Sequence, residues 1–138
     1  MSAEMLLTHG ENFVRKNHPI WYHYFILVNL ISMSTKIEMT AKYVAQLEEL
    51  SITPDTTLLE WVVDRVGPAN YNADGQLVAC SDKEELERVY TGFVGDELAE
   101  TDKEKGMSVI AEVCEDMKDI NRKYRAVFYY LLAKKYGK

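Results

Sequence analysis

What this sequence has little of narrows its chemistry first. It carries three histidines, His9, His18 and His23, and none beyond position 23. The rest of the chain therefore has no imidazole for general-base catalysis near neutral pH or for zinc ligation. The two cysteines, Cys80 and Cys114, match no metal-binding or redox spacing, and two isolated thiols do not make a secreted disulfide framework. Both read as packing residues in a reducing, cytoplasmic setting. A phosphate-binding glycine loop is missing, as is a reactive Ser or Cys with a base. No catalytic residue, metal site or cofactor emerges, and a non-enzymatic role is expected.

Long apolar runs are scarce as well. The longest, IWYHYFILVNLI at residues 20–31, spans roughly 18 Å as a helix against the ~30 Å hydrocarbon core, so no membrane span is expected. Arg15 and Lys16 precede it as in a targeting leader, but Glu4 and Glu11 sit where a leader should be basic. Residues 1–34 read as an N-terminal extension with a possible helix at 13–32. The expectations for it are an upstream reading of a gene that starts at Met33 or Met39, an appended helix that packs on the body or a partner, or a targeting segment.

Charge is present but lopsided. Two basic and two acidic residues fall in 1–33, eight basic and twenty acidic in 34–119, and six basic with no acidic residue in 120–138. An acidic body repels phosphate backbones, so general nucleic-acid binding is disfavoured, while a local cation patch is compatible with a small anion.

From Met39 the pattern is helical. Ala41, Val44, Ala45, Leu47 and Leu50 suggest one apolar face, ended at Thr53-Pro54. Pro54 should open a second helix with Leu58, Leu59, Val62, Val63 and Val66 inward and Gly67-Pro68 as its stop. Ser81-Asp82-Lys83-Glu84 and Thr101-Asp102-Lys103-Glu104 have the form of capping boxes. Each should start a helix at its Ser or Thr. The last helix is expected from Asn121 to Tyr136, with Gly137 as its end. Its centre AVFYYLLA is apolar or aromatic all round, as for a helix enclosed by neighbours. The expected fold is all-α: one domain, residues 35–138, of about five helices around a buried C-terminal helix. Leu77-Val78-Ala79 is allowed a short extended piece.

Three places compete for a site. Asn70, Asn72, Asp74 and Gly75 fall on positions one, three, five and six of a calcium loop, but Ser81 stands where a bidentate Glu is needed. A tied-down turn fits better, with Asn and Asp mimicking backbone, Gly75 at positive φ and Tyr71 plugged into the core. Arg122, Lys123 and Arg125 would lie in the first turn of the last helix, where the macrodipole disfavours cations. They are expected either to pair with carboxylates such as Asp119, Asp74 or Asp82, or to hold an anion. Tyr124, Tyr129, Tyr130 and Tyr136 with Lys134, Lys135 and Lys138 could stack bases, but core packing with a solvated end is the simpler reading.

The stretch GP-x-x-YNAD at residues 67–74, the Ser81-Asp82 to Glu85-Leu86 segment and NRKYRAVFYYLL at residues 121–132 carry a resemblance. Over about residues 33–138 the chain resembles the bacterial family known as domain of unknown function 2853. The resemblance implies an all-helical, soluble, cytoplasmic protein with no assigned activity. Residues 1–32 have no counterpart in that pattern, and GFVGDELAETDKEKG is more acidic than the family's corresponding stretch. The function expected is a non-enzymatic protein-interaction or binding module, with another protein or a second copy as partner. The alternative is a small anionic-ligand or nucleic-acid binder. That ligand site would use Tyr71, Asn72, Asp74, Arg122, Lys123 and Arg125, with the Asn70 to Asp74 loop.

Overall fold

The computed structural model describes the backbone of residues 20–138 and the side chains of all of these but 31–34. Residues 13–19 of the expected N-terminal helix therefore lie outside the described residues. Among the described residues five α-helices follow one another: α1 at Ile20–Glu49, α2 at Thr56–Val66, α3 at Lys83–Val89, α4 at Lys103–Asp116 and α5 at Arg125–Lys135. A 3-10 turn, Gly67–Tyr71, follows α2, and a π-helical turn, Tyr90–Gly95, follows α3. The chain divides into two compact units at Glu38, inside α1. In the first unit the apolar residues Ile20, Trp21, Tyr24, Phe25, Ile26, Leu27, Val28 and Leu30 are exposed.

The second unit, Met39–Lys138, is an all-α bundle built on α5. Every residue from Ala126 to Ala133 is buried, because a helix apolar on all sides is stable in water only when other elements enclose it. Packing on it or on its neighbours are the expected inner face of α2, Ile110 and Val113 from α4, and Met117 at the C-cap of α4. Phe93 stacks on Tyr129 with ring centroids 4.1 Å apart and planes 14° from parallel.

Several boundaries differ from the sequence reading, each for a local reason. The α1 residues that enter this core are Met39, Tyr43, Gln46 and Leu47, whereas Ala41 and Ala45 are exposed. The spacing is still helical, but the buried stripe is displaced from the alanines. Helix α2 starts beyond Pro54, with Asp55 as its N-cap. Helices α3 and α4 are capped by Asp82 and Asp102, not by Ser81 and Thr101, each carboxylate accepting from two backbone amides. A carboxylate also complements the positive end of the helix, an advantage that a hydroxyl lacks.

The largest revision concerns α5, which begins at Arg125 with Tyr124 as its N-cap. Tyr124 is held extended instead, in an antiparallel bridge with Leu77. The Val78 amide donates to the Lys123 carbonyl at 2.9 Å and the Arg125 amide to the Gln76 carbonyl at 2.6 Å. Gln46 fastens the same point: its side chain donates to the Arg122 carbonyl at 2.8 Å and accepts from the Tyr124 amide at 3.1 Å. The extended piece allowed at residues 77–79 is thus real but limited to one bridge. Gly137 ends the region at φ 81°, the left-handed geometry expected there.

Candidate functional site

The loop from Gly67 to Cys80 is anchored by Asn70, not by Tyr71. Asn70 is 1% exposed and Tyr71 45%. The Tyr43 hydroxyl donates to Asn70 Oδ1 at 2.7 Å, and Asn70 Nδ2 donates to the carbonyls of Val63 at 2.9 Å and Gly67 at 2.8 Å. One side-chain amide thus ties α1, the end of α2 and the 3-10 turn together. Burial pushes the Tyr43 phenol well above its usual range, with the nearby Tyr71 and Tyr124 adding to the effect.

Asn72 closes the next turn, its Oδ1 accepting from the amides of Asp74 at 2.9 Å and Gly75 at 3.3 Å. Gly75 does not adopt positive φ as expected; that conformation belongs to Gly67, at 61°. Glycine is favoured at position 75 by proximity instead, since a Cβ there would meet the Ala69 Cβ at 3.2 Å. Asp74 is exposed, and among the described residues no cluster of three or more His, Cys, Asp or Glu is placed to hold a metal ion.

Loop and cations do meet, through Arg125. Its Nε donates to the Gly75 carbonyl at 2.6 Å, and its other nitrogens donate to the Leu77 carbonyl at 3.1 Å, the Tyr129 hydroxyl at 3.2 Å and the Glu85 carboxylate. Glu85 also receives Arg88 at 2.9 Å, so this buried carboxylate lies between two guanidinium groups. Burial works against the Arg125 charge, but Tyr129 and Glu85 beside it raise its pKa overall. The partner of Arg125 is thus Glu85, which was not among the carboxylates proposed from sequence.

Lys123 is half-buried and donates to the Ile120 carbonyl at 2.6 Å. Arg122 is exposed. The extended bridge sends the three side chains to different surroundings, and a shared first turn of a helix does not form. The late tyrosines and lysines are divided in the same way. Tyr129 and Tyr130 are buried, while Lys135 pairs with Glu112 at 3.5 Å and Asp116 at 3.2 Å. Tyr136 donates to Glu100 at 3.0 Å, and burial, helped by that carboxylate, pushes its phenol up to about 12.

Sequence reasoning missed the cysteines. Cys80 and Cys114 form a disulfide, with Cα atoms 5.9 Å apart across 34 positions of sequence. This corrects their reading as separate packing residues, although both also pack against the core. Cys80 sits just before the α3 cap and Cys114 on the last turns of α4. Together they line a groove of about 540 Å³ with Val78, Ser81, Lys118 and Lys123. Nothing in the spacing of two cysteines announces such a contact, which the packing of α4 beside the bridge creates.

Among the described residues, no helix is long and apolar enough to cross a membrane. The model of the family described as "Protein of unknown function (DUF2853)" matches residues 42–138. No curated protein matches the chain.

Proposed function

The chain belongs to the DUF2853 family, proteins of unknown function, and from that premise we propose that it is a non-enzymatic protein-interaction module that assembles with copies of itself. The observation that carries this reading is the exposed aromatic and aliphatic surface of α1 between Ile20 and Leu30. Fully burying six aliphatic or Phe side chains of that segment is worth roughly 9–18 kcal/mol, at 1.5–3 kcal/mol each. Association costs about 4–15 kcal/mol, so burial toward the upper end of its own range leaves a surplus. A second copy is the favoured occupant because residues 17–35 contain no Asp, Glu, Lys or Arg, while the net charge of −6 resides in residues 34–138. Copies repel one another over the body and meet no such penalty along this stretch.

Light scattering on the full chain tests it. The expected result is a particle several times the chain's mass, returned to a monomer by Phe25→Glu with Leu27→Glu. A full chain that is monomeric at tens of micromolar overturns the proposal, and if that monomer sediments with lipid vesicles, a membrane surface takes the partner's place. The second reading, an anionic-ligand or nucleic-acid site on Arg122, Lys123, Arg125 and the Asn70 to Asp74 loop, has the occupied donors of Arg125 against it.

A further inference from the structure

The Cys80–Cys114 bond borders a surface groove. Both residues are half-exposed and both line the same groove, so one wall of that groove is the disulfide itself. Leu77 of the Leu77–Tyr124 bridge, Ser81, Lys118 and Lys123 line the groove too. Contacts other than the bond also hold the fold around it. Core residues Val78, Val113, Met117 and Ile120 are buried beside it, and the adjoining loop is fastened separately by Arg125, Gln46 and Asn70.

We propose that Cys80 and Cys114 form a thiol–disulfide exchange site whose substrate is a low-molecular-weight thiol bearing a carboxylate, received in this groove. The thiolate of the substrate attacks one protein sulfur. The Cys80–Cys114 bond breaks, a mixed disulfide forms, and the other cysteine leaves as a thiolate that takes up a proton. A second substrate thiolate attacks the mixed disulfide at the substrate's sulfur. It releases the remaining protein thiol and the substrate's own disulfide, so two electrons pass from two thiols to the protein. Running backwards, the same steps oxidise the protein.

The choice of an anionic thiol follows from the cations of the groove. Lys118 is partly neutralised by the Glu115 carboxylate at 2.8 Å, with Asp119 nearby. Lys123 bonds to a neutral carbonyl, that of Ile120. Its ammonium keeps two donors for an incoming carboxylate. This site involves other residues than the self-association surface and stands or falls separately from it.

The test uses the full chain, oxidised with glutathione disulfide and then reduced by glutathione in native buffer. Free thiols are trapped by alkylation and counted by intact mass. The expected outcome is complete reduction with a trapped mixed disulfide, at a rate proportional to glutathione and unaltered by sub-denaturing urea, while circular dichroism stays native. Lys123→Gln should slow glutathione several-fold and leave the neutral thiol mercaptoethanol unaffected. A rate that climbs with urea in step with unfolding, or cysteines that never pair under oxidation, overturns the exchange site. Equal sensitivity of both thiols to Lys123→Gln overturns the carboxylate-bearing substrate.

Discussion

At the scale of single residues, Asn70 and Tyr71 show how buried polarity outranks aromatic size. Asn70 satisfies a phenol and two carbonyls at once; its removal leaves the buried Tyr43 hydroxyl and the half-buried Gly67 carbonyl without it, while the Val63 carbonyl keeps the Gly67 amide. Each unsatisfied group costs about 1–3 kcal/mol. Asn70→Ala is therefore expected to lower stability by about 2 kcal/mol or more, and Tyr71→Ala by well under half of that, as read from urea unfolding midpoints. Near-equal losses would show that the loop is held elsewhere. The difference was not legible in the sequence because hydrophobic spacing ranks a tyrosine inward and an asparagine outward. The hydrogen-bonding demand of a helix end is invisible to that ranking.

Elements were legible where periodicity alone decides. The inward residues of α2 and the enclosed centre of α5 followed directly from apolar spacing, since burial of a continuous apolar face outweighs local alternatives. Element starts were not. Asp82 and Asp102 took the caps, and the α5 start moved four residues because the backbone at Lys123 and Tyr124 pairs with a segment over forty positions upstream. Local patterns do not encode a partner that distant. The contact between α4 and the π-helical turn yields a prediction of its own. Gly106 lies in α4, and a Cβ there would stand 2.6 Å from the Tyr90 ring. Helix propensity alone favours Gly106→Ala by up to about 1 kcal/mol. Overpacking costs about 1–3 kcal/mol, and the ring is restrained by its hydroxyl's bond to the Glu100 carbonyl at 3.2 Å. Net destabilisation is expected in thermal melts, and a raised Tm would refute the close contact.

For the whole molecule, the disulfide and the hub helix set the behaviour. The bridge closes a span of 34 positions, which in the chain-entropy picture is worth about 3–4 kcal/mol. Reduced protein, or the Cys80→Ser, Cys114→Ser double variant, should remain folded at room temperature with a Tm lower by on the order of 15 °C, at 4–8 °C per kcal/mol for a domain of this size. An unchanged Tm would mean that the bond constrains little. The pairing also marks the limit of what could be read from the chain alone: the all-α hub was visible because it is a local pattern, and the groove was not because three distant segments build it. Helix α5 comes last among the elements yet sits at their centre. A ribosome making this chain from its amino end must therefore deliver α2, α3 and α4 before the piece around which they settle. Until Ala133 clears the exit tunnel, those earlier helices have only chaperones or one another for shelter, and the nascent domain cannot close its core around α5 before then.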